Sequence, residues 1–152
     1  HTQLFLKEII NKLIHPTGCK NKDVSYNFRT MKTDGLFFLD VLSIMPENNT
    51  YIYIQASNAI SEKFLLLTSA TDEPALRQAK CDKKTKKVLE DEVSNNDITD
   101  FFQYISIKHN GKTIFEGFDG LEYGVFSKDF IIPNWFCMKY EQDDRYTTSL
   151  DW

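Results

Sequence analysis

The chain has 152 residues, with 18 Lys or Arg, 22 Asp or Glu and 41% hydrophobic residues, the size and balance of a single globular domain over residues 1–152. That balance excludes a disordered or collagen-like chain. The longest apolar runs, such as Leu36 to Leu39 and Phe64 to Leu67, fall far short of the roughly 20 residues that a membrane helix needs.

In chain order, Phe5, Leu6, Ile9, Ile10, Leu13 and Ile14 recur at helical spacing, and Pro16 and Gly18 follow where a helix would end. Lys7, Glu8, Asn11 and Lys12 interrupt this segment, so it reads as an amphipathic N-terminal helix and not as the apolar stretch of a signal peptide. Residues 24–30 alternate apolar and polar, which predicts a half-buried strand. Asp34-Gly35 predicts a hairpin turn, and the apolar run from Leu36 to Ile44 a central strand. Tyr51 to Gln55 and Phe64 to Ser69 add two strands, completing a meander of about four.

Thr71-Asp72-Glu73-Pro74 carries a capping residue, first-turn acids and an early proline, which predicts a helix running to Val93. Its apolar stripe is thin, so it should lie on the surface. Ser94-Asn95-Asn96 ends it, and Asp97, Ile98, Phe101 and Phe102 suggest a short turn of helix. Asn110-Gly111 is a strong hairpin signal joining residues 104–109 to 112–118, because a type I′ turn needs positive φ at both central positions. Gly117, Gly120 and Gly124 among aromatic residues suggest bends and short strands up to the polar tail. The expected architecture is α+β: one largely antiparallel twisted sheet with an N-terminal helix and a central surface helix.

Charge is divided along the chain. Residues 1–89 carry a balance of +4 and residues 90–152 one of −8, and six basic residues with only Asp82 against them lie between Arg77 and Lys87. Cys19, Cys81 and Cys137 stand about 60 residues apart, matching neither a redox pair nor a zinc spacing, so free thiols and a cytoplasmic setting are expected. The lysines beside Cys81 give it an argument for a lowered pKa, whereas Cys137, in the run Trp135 to Met138, reads as a buried small hydrophobe.

No phosphate loop, catalytic triad or calcium loop is spelled out. The glycines of residues 117–124 lack the required spacing and stand among Glu116, Asp119 and Glu122, which would repel a phosphate. His15 suits a helix end, and His109 sits before a tight turn and should be exposed. No metal and no cofactor is expected, and the leading expectation is not an enzyme. A small hydrolase or nuclease-like enzyme whose site is assembled only in the fold is the alternative, and a nucleic-acid-binding module through Arg77 to Lys87 a third reading. The net acidity, and the lack of aromatics within that run, count against nucleic acid.

The feature that carries most functional weight is the acidic, aromatic-rich part from Glu90 to Trp152. Its expected partner-binding residues are Glu116, Asp119, Glu122, Tyr123, Asp129, Trp135, Tyr140, Glu141, Asp143 and Asp144. Aromatics anchor interfaces and clustered carboxylates steer a basic partner. In this profile the chain resembles a bacterial toxin-immunity protein of the contact-dependent growth inhibition type. The resemblance implies a small cytoplasmic inhibitor, with neither membrane nor nucleic acid as its target, that neutralises a basic protein toxin, such as a nuclease, by stoichiometric complex formation.

Overall fold

The computed structural model describes residues 31–56, 61–95, 102–140 and 142–152. The expected helix at residues 4–14, the strand at 24–30 and the short turn at 97–102 lie outside them, as do His15 and Cys19, except that Phe102 of that turn is described and opens a strand.

The first described element is a helix, α1 (Met31–Ser43), where a turn and a central strand were expected. Phe37, Phe38, Val41, Leu42 and Met45 are all at most 4% exposed, and their spacing of one, three and four residues is that of a helix face. A short unbroken apolar run fits a buried helix as well as a buried strand, and here Asp34-Gly35 lies within the helix and makes no hairpin. Pro46 follows where the helix has ended.

Strand β1 (Thr50–Ala56) alternates as expected, with Ile52 and Ile54 buried and Tyr51 and Tyr53 on the other face. Phe64 to Ser69 is not a single strand. Ser61 accepts a hydrogen bond from the Phe64 amide at 3.1 Å and caps a short helix, α2 (Glu62–Leu65), and β2 (Thr68–Ala70) follows.

The long helix expected from Thr71 is divided as well. Thr71 Oγ1 accepts from the Glu73 amide and closes a local turn, and residues Arg77–Lys80 form β3. The true helix start is Asp82, whose carboxylate accepts from the Thr85 amide at 2.9 Å ahead of α3 (Lys83–Asn95). Backbone donation from Thr85 holds the Asp82 carboxyl below its usual pKa. Thr85, Val88 and Leu89 are the buried residues of α3, in keeping with a thin stripe, and it ends where residues 94–96 predicted.

The hairpin of β4 (Phe102–His109) and β5 (Lys112–Phe118) forms as expected, with φ of 51° at Asn110 and 79° at Gly111. A second turn with Asp119, Gly120 and Leu121 all at positive φ leads into β6 (Tyr123–Phe126). Of the three glycines there, only Gly120 serves the turn. Gly117 and Gly124 face each other across β5 and β6, and a Cβ on them would come within 2.3 Å of Leu121 and 2.6 Å of Phe115 respectively. They make room for side chains, which a reading based on φ alone does not anticipate. Helix α4 (Asn134–Lys139) and β7 (Tyr146–Thr148) complete the described chain.

The fold is α+β: the seven strands form one sheet in the order β2-β3-β1-β4-β5-β6-β7, antiparallel except for the β6–β7 pair. One face meets the helices. Ile52, Ile54, Ala79, Ile105, Ile107, Phe115 and Phe126 join Phe37, Phe38, Phe64, Leu89 and Phe136 in a single cluster. Phe126 is its aromatic centre, with the rings of Phe115, Phe130, Phe136 and Tyr146 all 4.9–5.6 Å away.

Candidate functional site

Register dictates what the second face of the sheet displays, because residues directly opposite in an antiparallel pair point the same way. Three rows cross the strands. At one end Gln55, Tyr104, Phe118 and Tyr123 stand in line, then Tyr53, Ser106, Glu116 and Val125, then Lys80, Tyr51, Lys108 and Thr113. Five of these twelve residues are aromatic and none belongs to the helix-covered cluster. Tyr51, Tyr53, Tyr104, Phe118 and Tyr123 are all half-buried by one another and by their neighbours.

The rows are locked by side-chain contacts. The Tyr104 and Phe118 rings lie 5.6 Å apart, Lys108 Nζ sits 4.9 Å over the Tyr53 ring, and the Tyr123 and Thr147 hydroxyls share a 2.6 Å hydrogen bond. Burial raises the Glu116 carboxyl above its usual pKa, with Lys108 opposing. Burial also raises the Tyr104 hydroxyl, and the nearby charges of Glu116 and Glu73 add to it. A groove of about 420 Å³ opens beside these residues, between Tyr53, Tyr104, Ser106 and Lys108 on the strands and Glu73 and Leu76 of the β2–β3 connection. Charge runs along the face: Lys80 and Lys108 mark one end, while exposed Asp119 and Glu122 in the β5–β6 turn mark the other.

Only part of the expected acidic surface is brought to this face. Glu116 and Tyr123 lie on it and Asp119 and Glu122 at its rim. Asp129 is elsewhere, ion-paired with Lys112 at 2.6 Å, and Trp135 projects from α4 with 48% of its surface exposed. Tyr140 and Asp143 serve the interior. The Tyr140 hydroxyl donates to Asp40 at 2.5 Å, and burial drives its pKa far up. Asp143 accepts from Arg145 Nε at 2.8 Å, and Arg145, 1% exposed, also pairs with Asp34 on α1. Burial works against that guanidinium charge, but the hydrogen bonds it donates to Asp34 and Asp143 outweigh it and raise its pKa. Asp144 is exposed, and Glu141 lies outside the described residues.

The reading by segment missed Tyr51, Tyr53, Tyr104, Lys108 and Phe118. The alternation of Tyr51-Ile52-Tyr53-Ile54 marked two of them as facing away from the core, but only the register shows that they join Tyr104 and Lys108.

Three further expectations change. The basic run is no continuous strip: Arg77 and Lys80 are on β3, Lys83 to Lys87 on α3, Arg77 Nε donates to Thr68 Oγ1 and Lys86 pairs with Glu47 at 3.4 Å. Cys81 is fully buried, and burial pushes its thiol up to about 11, opposite to the lowering the lysines suggested. Cys137 is buried as expected but is disulfide-bonded, so the expectation of three free thiols does not hold.

His109 is half-buried, with Nδ1 2.9 Å from Thr50 Oγ1 and Nε2 3.1 Å from Asn110 Nδ2. It borders a wide groove of about 750 Å³ whose floor is apolar, with Ile44, Met45, Ile114 and Phe130, and whose one carboxylate is the Asp129 already paired with Lys112. Among the described residues no second carboxylate lines that groove beside His109. Among the described residues no group of three His, Cys, Asp or Glu could hold a metal ion, and no helix is long and apolar enough to cross a membrane. Comparison of the chain with protein-family models, with curated proteins and with solved structures gives no match.

Proposed function

We propose that this protein works by binding and not by catalysis, holding a basic protein partner stoichiometrically on the open face of its sheet. The observation that carries the reading is the row Tyr104, Phe118 and Tyr123, three aromatic residues aligned across three strands and ending against the exposed carboxylates of Asp119 and Glu122. Half-buried aromatics supply anchors at small entropic cost, and rim carboxylates steer a positive surface toward them. The balance of −8 over residues 90–152 supports the same sign of partner.

A basic toxin, with a nuclease as the first candidate, is the specific form of this reading, in keeping with the resemblance to toxin-immunity proteins. The cytoplasmic expectation rested on free thiols and loses that support. A single-stranded nucleic acid is the second reading, favoured by the Lys108–Tyr53 pair beside Tyr51 and Tyr104, since bases stack on such rings. Glu116 in the middle of the face and the two rim carboxylates weigh against it.

The test is calorimetric titration of this chain with the product of the adjacent reading frame in its genome. Binding by the wild type should weaken about tenfold in the Asp119→Lys/Glu122→Lys variant and fall with added salt. Equal affinity in that variant sinks the electrostatic reading, and binding of an oligonucleotide in place of the protein establishes the second one.

A further inference from the structure

The groove beside Tyr104 is lined by Glu73 and Lys108, and Glu116 stands one strand beyond it on the same face. We propose that the groove is the subsite for one arginine side chain of the protein partner, an inference that rests on the basic-partner reading above. Glu73 lines the groove and Glu116 stands directly across from Ser106, which also lines it. Among the described residues that line the groove, the one ammonium is that of Lys108. Glu73 comes to the groove from the β2–β3 connection and Glu116 to the same face from β5.

Lys108 shows how a cation is received here. Its Nζ lies 4.9 Å over the Tyr53 ring and it faces Glu116, so the ring face and the carboxylate already hold one positive charge. Tyr104 offers a second ring in the same groove, and Ser106, 4% exposed, closes the floor. A planar guanidinium suits these walls better than a second ammonium, because it stacks on a tyrosine ring while its N–H fork reaches a carboxylate. It is also less strongly hydrated and so less costly to bring into a half-buried groove. The volume of about 420 Å³ admits a side chain of that size. An anion is disfavoured on the same grounds, since it would face Glu73 and Glu116 across a short distance.

The experiment is a titration of the full chain, followed residue by residue in its ¹H–¹⁵N spectrum, with N-acetyl-arginine amide and, in parallel, N-acetyl-lysine amide and inorganic phosphate. Saturable shifts at Tyr53, Gln55, Tyr104 and Ser106 are expected with the arginine probe, and the Glu73→Gln/Glu116→Gln variant should weaken them about tenfold. Lys108→Met removes the competing cation and should tighten arginine binding. Unsaturable shifts, shifts unchanged in the double variant, loss of binding in Lys108→Met, or phosphate in place of arginine as the ligand overturns the proposal. The Asp119→Lys/Glu122→Lys variant leaves this groove intact and should keep the arginine response. Arginine binding in a chain that associates with no basic protein supports the subsite and overturns the basic-partner reading alone.

Discussion

The two faces of the sheet are made from alternate residues of the same strands, and they were given different work. On β1, Ile52 and Ile54 are at most 1% exposed, while Tyr51 and Tyr53 between them are half-buried on the opposite side. The inner face is aliphatic and phenylalanine-rich and is covered by helices. The outer face keeps aromatic bulk but adds a hydroxyl, a lysine or a carboxylate at nearly every position. A face meant only for water has no need of five aromatic rings in three registered rows. The contrast places the packed core on one side of the strands and, on the proposed reading, recognition on the other.

The sharpest way to break that contrast uses two adjacent residues. Ile54→Ala removes a side chain that is 1% exposed in the helix-covered cluster and should cost about 2–5 kcal/mol in urea denaturation. Tyr53→Ala, one residue away, should cost only about 1 kcal/mol, the scale of a cross-strand pair, while abolishing the arginine response of the groove. Equal losses of stability would mean that the outer face is also core.

A smaller effect is expected where the inner face is packed around missing side chains. Gly124→Ala would place its Cβ 2.6 Å from a Phe115 ring carbon at the centre of the aromatic cluster. Phe115 is fully buried and cannot swing into solvent, so overpacking should cost about 1–3 kcal/mol. A neutral Gly124→Ala in the same assay would show that the cluster is looser than its ring spacings imply.

These elements were legible in the sequence to different degrees, for physical reasons. The β4–β5 hairpin was readable because Asn110-Gly111 solves a local backbone problem that few other pairs solve. The strand character of residues 51–55 was readable because alternation has one meaning on a half-buried strand. Residues 36–44 were not, since a buried helix and a buried strand both appear as a short apolar run, and what decides between them is the sheet they pack on. The helix start was misplaced from Asp82 to Thr71 because both residues can cap, and only pairing with β1 shows that Arg77–Lys80 is extended. The acidic part from Glu90 to Trp152 was read as one surface because its members are close in sequence. Arg145 draws Asp143 inward and Asp40 draws Tyr140, whereas Glu116 meets Lys108 and Tyr53 only through a register spanning three strands.

The smallest expected effect separates the faces by the sign of a pH dependence. Asp82 caps α3, and its folded pKa is lowered below the usual 3.8, so its contribution to stability is present at neutral pH and is lost as pH falls through the folded value. Glu116 on the open face behaves in the opposite way. Burial raises its folded pKa above the usual 4.5, so the folded chain holds that proton more tightly than the unfolded chain does. Its favourable contribution is complete below the unfolded value and disappears as pH rises through the folded one, leaving a small penalty at pH 7. Glu116→Gln should therefore be slightly more stable than the wild type at pH 7, and the gap should close below about pH 4.5, while Asp82→Asn should be less stable at pH 7. Urea midpoints measured from pH 3 to pH 8 decide it. A wild type that outlasts Glu116→Gln at pH 7 would mean that Lys108 already satisfies this carboxylate, and would leave Glu116 no unspent charge for a partner.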